Sequence, residues 1–155
     1  MTNLQALAPL MQYIGENIAL FCGGLFTGSA FYICLTERPP RTALGFADLL
    51  ALSRANAGRT NALLGVLAAM TALTALLASF TGAGASWLAG GLAHLAAVAL
   101  LATKLPEIAK ELHELGGEDE AKREGEKLLD RQTAYFSALC LMGLIAQYLF
   151  IVSPL

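Results

Sequence analysis

An all-α fold, a four-helix transmembrane bundle with a charged helical hairpin extension, is what this sequence predicts, and three observations predict it. Residues Thr60 to Thr103 contain no Asp, Glu, Lys or Arg. The composition is 56% hydrophobic and 14% charged, with a mean hydropathy of +0.59, too apolar for an ordinary soluble domain of 155 residues. All ten Lys and Arg fall within two segments, residues 37–59 and 104–131. The whole chain, 1–155, reads as a single transmembrane domain.

A hydrocarbon core about 30 Å thick takes roughly 20 apolar residues of helix. The uncharged interval from Thr60 to Thr103 is therefore two crossings with a turn between them. Thr81-Gly82-Ala83-Gly84-Ala85-Ser86 supplies the turn, because glycine tolerates the backbone angles of a reversal and weakens helix continuity. Spans over 63–80 and 86–103 follow. The uncharged interval between Glu16 and Glu37 gives a first span over 17–36, and the uncharged residues after Arg131 give a fourth over 133–151.

With four crossings, the two charged segments share one face of the membrane. Short loops rich in Lys and Arg stay cytoplasmic. The expectation is an integral protein of a bacterial inner membrane, with charged loops in the cytoplasm and both termini periplasmic or exterior. The formal charge of −2 offers no basic field, so nucleic acid is not an expected partner. Membrane lipid is.

Residues 1–15 carry no basic n-region, so no removable signal peptide is expected. Leu4, Leu7, Leu10, Met11 and Ile14 recur at helical spacing and read as an early start of span one. In that span Gly24 and Gly28, with Gly23, Ser29 and Ala30 near by, form a small-residue face suited to close helix packing in lipid. The partner helix is either from this chain or from a second copy. Pro39 and Pro40 end the helix. From Thr42 to about Asn56, Leu44, Phe46, Leu49, Leu50 and Leu52 suit a short helix on the headgroups.

Arg54, Asn56, Arg59 and Asn61 place two guanidinium groups and two amides at the start of span two. They read either as a topogenic cluster with capping amides or as a polar mouth for an anionic or carbonyl-bearing ligand, for which arginine offers planar paired donors. Span two itself is rich in small residues, Gly65, Ala68, Ala69 and Ala72, with Thr71 and Thr74 able to bond back to the helix.

Span three carries His94, ten residues before Lys104, about 15 Å below the rim at 1.5 Å per residue. An ionisable residue near the midplane faces the bundle interior or a cavity and is a functional candidate by default. The alternative is a neutral imidazole hydrogen-bonded across helices. Gly90, one turn before, leaves room on that face. His113 belongs to the charged loop, and Cys22, Cys34 and Cys140 form no Cys-x-x-Cys motif, so neither a metal site nor a thiol redox pair is indicated.

Lys104 to Leu115 reads as a helix stopped by Gly116 and Gly117. Glu118 to Arg131 resumes it, with Glu118–Lys122 and Asp119–Arg123 pairs one turn apart, and flows into span four without a breaker. Six basic against nine acidic residues in 104–131, and four against two in 37–59, favour attraction between the two segments. In span four Tyr135 and Tyr148 read as interfacial anchors and Gln147 as an interhelical or outer-rim hydrogen bonder.

The run Gly28-Ser-Ala-Phe-Tyr-Ile-Cys-Leu-Thr-Glu37-Arg38-Pro39, an arginine-bearing start to span two and Pro106 at the exit of span three together resemble the anthrone-oxygenase-like family of small four-span membrane proteins. Here Glu107 and Ile108 follow Pro106, where relatives carry a threonine and an asparagine. The resemblance implies, as in the fungal polyketide-pathway members, oxidation of an anthrone to an anthraquinone by molecular oxygen with no cofactor. It also implies Glu37, Arg38, Arg54 and Arg59 as mouth residues, with Asn61 beside them as a further substrate-binding candidate, and His94 as the acid or base acting on a lipophilic, phenolic substrate.

Two other readings stand beside it. One is a non-catalytic subunit of a homo-oligomer or larger membrane complex, since small-residue faces and a dense charged hairpin suit packing against partners. Glutathione-dependent trimeric membrane enzymes share the length and span count, but Gly58 and Asn61 stand where their asparagine and glutamate belong.

Overall fold

The computed structural model describes residues 3–37, 46–115 and 119–152, and these form four long helices with no strand among the described residues. Helix α1 spans Asn3–Glu37, α2 Phe46–Ala78, α3 Ala85–Glu114 and α4 Asp119–Val152, with a π-helical turn over Ser79–Ala83. All four contain a stretch long and apolar enough to cross a membrane. Each helix packs on its two neighbours in chain order, with α4 closing against α1, so the bundle is a square with little diagonal contact. The predicted fold class holds.

At 1.5 Å per residue, 30 to 35 residues make rods of about 45 to 52 Å. That exceeds the hydrocarbon thickness by some 15 Å or more. Apolar side chains cover the outside of the bundle, Phe21, Leu73, Phe80 and Ile151 among the most exposed. So continuous a band fits lipid as solvent rather than water.

The reversal between α2 and α3 falls where the glycines predict it. Gly82 and Gly84 take positive φ of 126° and 90°, angles that side-chain-bearing residues rarely adopt. The Ser79 hydroxyl donates to Gly84 O at 3.2 Å and closes the turn.

The early start of span one also holds: α1 begins at Asn3 and runs through Pro9. Residues 46–56 differ from expectation. They do not make a separate helix on the headgroups but are the first turns of α2, which passes unbroken into span two. The physical reason is a water-side core that this extension completes. Leu50 is buried among Ile108 and Leu112 of α3 and Leu128 and Leu129 of α4, with Phe46 and Leu115 against them. Gly125 admits the Phe46 ring, which a Cβ there would meet. The charged segments thus join through apolar contact and through Arg54, whose guanidinium donates to Leu112 O; the Arg131–Glu111 pair, 3.8 Å apart with both side chains half exposed, lies within 104–131 and is worth little in water. The Glu118–Lys122 and Asp119–Arg123 pairings, with the side chain of Glu37 and all of Arg38, lie outside the described residues.

One seam ties the two environments together. On α3 the buried positions Trp87, Gly90, His94, Ala97, Leu101, Leu105, Ile108 and Leu112 run at steps of three and four, with Gly91 buried beside them against α2. This stripe is the knobs-into-holes spacing of antiparallel bundles, and it crosses from membrane to water without a change of register. Pro106 is off the seam and exposed, so its missing N–H leaves the packing face intact.

The small-residue expectations divide. Ala68, Ala72, Ala75 and Ala78 are buried and let α2 approach its neighbours closely. Gly23 faces inward, its Cβ position occupied by the Gln147 amide of α4 and, at 3.1 Å, by Thr71 Cγ2 of α2. Gly24 and Gly28, expected to meet a helix, instead face outward with nothing within 4 Å of either Cβ position. A 3.6-residue turn separates adjacent glycines by about 100°, so only one of Gly23 and Gly24 can point at the axis.

Candidate functional site

His94 is 1% exposed, deep in the bundle. Its Nδ1 lies 3.1 Å from Gly90 O one turn earlier. A carbonyl only accepts, so Nδ1 carries the proton of the neutral ring. That leaves the Nε2 lone pair as the basic atom, and Nε2 is buried with no hydrogen-bond partner among the described residues. The expected alternative, a bond across helices to Thr, Ser or Tyr, is not formed.

Aromatic rings surround the imidazole. Phe26 of α1 meets it edge-on at 5.3 Å, and Phe150 of α4 lies nearly parallel at 6.1 Å. Phe150 in turn stacks on Trp87 at 4.5 Å. Gly90 makes this possible: the space its Cβ would take is filled by the Phe150 ring. The room left by Gly90 is therefore used by a side chain of the bundle itself.

Three further polar side chains face the interior of the bundle. Thr71 is fully buried and donates to Leu67 O at 2.8 Å, and Thr27 donates to Gly23 O at 2.8 Å. Gln147 reaches over Gly23, and its Nε2 is buried without a partner. Through Gly23, Thr71 and Gln147, the helices α1, α2 and α4 meet at one interior polar contact. Gln147 reads from sequence as an interhelical or outer-rim hydrogen bonder, and its meeting with Thr71 over Gly23 depends on how the helices pair. The available signal was an amide inside an uncharged span.

The outward-facing Gly24 and Gly28 form the floor of a groove between α1 and α2 of about 450 Å³. Ser29 and Tyr32 of α1 and Thr60 and Leu63 of α2 line its sides. Its volume falls within the range of small-molecule sites, and its lining of apolar surface with a few polar groups is typical of them. Leu64 closes the groove on the inside and packs in one cluster with Phe26, the ring that touches His94. The groove and the imidazole thus border the same core cluster.

The arginines do not share a site with His94. Arg54 is committed to the end of α3: Nε donates to Leu112 O at 3.1 Å, and Nη2 to Leu112 O at 2.6 Å and to His113 O and Leu115 O at 3.3 Å. Those carbonyls have no partner within their own helix, and a cation at the negative end of the helix dipole is stabilising. Arg59 is exposed on α2, beside Thr60 of the groove. Asn61 is half-buried with its Oδ1 enclosed and unpartnered. Cys34 Sγ lies 3.9 Å from Ser137 Oγ, and the described cysteines form no disulfide. No family model, curated protein or solved structure matches this chain.

Proposed function

We propose that the groove between α1 and α2 takes a flat lipophilic molecule from the bilayer, and that the chain oxidises it without a cofactor in the way its resemblance to the anthrone-oxygenase-like family implies. The observation that carries the binding step is the pair Gly24 and Gly28, which open a groove of about 450 Å³ toward lipid beside Ser29, Tyr32 and Thr60. A phenolic tricycle fits that volume, with its oxygens at the polar rim near Arg59.

The chemistry then needs one base. His94 Nε2 takes a proton from the methylene of the anthrone, the carbanion reduces O₂ to a hydroperoxide on that carbon, and loss of water leaves the quinone carbonyl. Anthrone and O₂ become anthraquinone and water. Leu64 and Phe26 must turn aside for the substrate edge to reach the imidazole. Lysine and arginine sidedness supports charged ends in the cytoplasm and termini outside, and on that reading the groove opens into the inner half of a bacterial inner membrane.

Purified protein in detergent, given a hydroxylated anthrone and air, should form anthraquinone with matching O₂ uptake above the spontaneous rate. His94→Ala should remove that excess while the bundle stays folded. No excess with wild type refutes the oxygenase. Binding that persists without turnover leaves the lipophilic-ligand site standing.

The same outward glycine step favours a second reading, a non-catalytic subunit of a homo-oligomer or larger membrane complex, because small residues are where a partner helix approaches closely. A stoichiometric protein partner copurified from native membrane, with no small molecule in the groove, would select it.

A further inference from the structure

We infer that a second cavity, at the charged end of the bundle between α2 and α3, binds the phosphate group of an anionic phospholipid. It is separate from the α1–α2 groove and from His94. Its volume is about 360 Å³, and its lining includes Ser53, Arg54 and Gly58 of α2 and Ala109, Lys110 and His113 of α3.

Position and chemistry agree. Arg54 lies five residues before Arg59, and Lys110 six after Lys104. Both are thus about 8 to 9 Å beyond the uncharged interval. The headgroup zone of each leaflet is roughly 5 to 8 Å deep, so long basic side chains here reach phosphate level. Basic pockets between helices at this depth suit anionic headgroups. The floor is small: Gly58 has nothing within 4 Å of its Cβ position, which leaves space between the cations for a phosphate.

An anion would ordinarily be repelled by the carbonyl end of α3. Arg54 removes that obstacle, since Nε and Nη2 occupy the Leu112, His113 and Leu115 carbonyls. Its Nη1 takes no part in those bonds and remains able to donate. The competing anion is Glu114, whose Oε1 is 3.8 Å from Lys110 Nζ with both side chains largely exposed. A pair so exposed is weak, and a phosphate held by Arg54, Lys110 and His113 together replaces it.

The test uses the full chain in nanodiscs of equal phosphatidylglycerol and phosphatidylcholine, with retained lipid read by native mass spectrometry. Phosphatidylglycerol should be enriched. The enrichment should fall by about fivefold in Lys110→Ala, which removes one cation, and further in the double variant with His113→Ala, which removes a hydrogen-bonding ring; both are exposed positions whose loss leaves the core untouched. Glu114→Gln should raise it by freeing Lys110. Arg54→Ala is unsuited as the sole variant because it also uncaps α3. Inorganic phosphate, added to protein in a zwitterionic detergent, distinguishes the source. If phosphate alone raises the unfolding midpoint and phosphatidylglycerol is not enriched, the ligand is a soluble phosphate and the lipid assignment is overturned. Equal retention of both lipids, unchanged in the double variant, with no effect of phosphate, overturns the site altogether.

Discussion

Gly90→Ala puts one methyl group where the Phe150 ring already lies. An ideal Cβ at Gly90 would stand 2.8 Å from Phe150 Cζ and 3.0 Å from Cδ1, with Cε1 nearer still. Carbon atoms in good contact sit 3.5 to 4.0 Å apart, so the ring must withdraw by about 1 Å. Phe150 is 3% exposed and stacked on Trp87, leaving no empty space to withdraw into without opening that stack. Overpacking of this kind costs about 1 to 3 kcal/mol. The better helix propensity of alanine returns about 1 kcal/mol, so a net loss of up to about 2 kcal/mol is expected. Gly65→Ala is the matched control: helical, with nothing within 4 Å, it should gain rather than lose stability. Trp87 is the sole tryptophan, so its emission during unfolding in a denaturing detergent series reports on the affected contact itself. The double variant with Phe150→Leu should recover part of the loss and show a coupling of about 1 kcal/mol or more. If Gly90→Ala unfolds no earlier than Gly65→Ala, with Trp87 emission unchanged, the proposed packing around His94 is wrong.

Arg54→Ala should speed hydrogen exchange over residues 108–115 and cost about 1 to 2 kcal/mol, as charge-assisted bonds to three carbonyls are lost in a partly solvated setting. Arg54→Lys should retain only part, because an ammonium cannot span the same three acceptors. Leu50→Ala, in the water-side core, should lower the unfolding midpoint by the equivalent of about 2 to 4 kcal/mol. The exposed Leu63→Ala should change it by less than about 0.5 kcal/mol. Gly28→Leu should leave stability unchanged or raised, since nothing occupies its Cβ position, while abolishing binding of any lipophilic guest in the groove. Unaltered guest binding in that variant would place the ligand elsewhere.

The number of helices, their spans, the Gly82–Gly84 reversal and the clustering of charge at one end were legible in the residues. Each is a one-dimensional property: an uncharged run must be satisfied within its own helix in lipid, and glycine must stand where φ is positive. His94 was visible as a candidate for the same reason. What surrounds it was not. The nearness of Phe26 and Phe150 to His94, and the choice of Gly23 over Gly24 to face inward, depend on the rotation and vertical offset of each helix against its neighbours. Those are set by how whole faces interlock. The two arginines show the same division. Both read from sequence as mouth residues, yet Arg54 is drawn onto the end of α3 because α2 is helical from Phe46, fourteen residues before the uncharged interval starts at Thr60, and packs on the hairpin. Lipid as solvent follows from composition alone; which side chains that bundle turns inward is decided by packing, because equally apolar faces cannot be ranked by transfer energy in a medium as apolar as themselves.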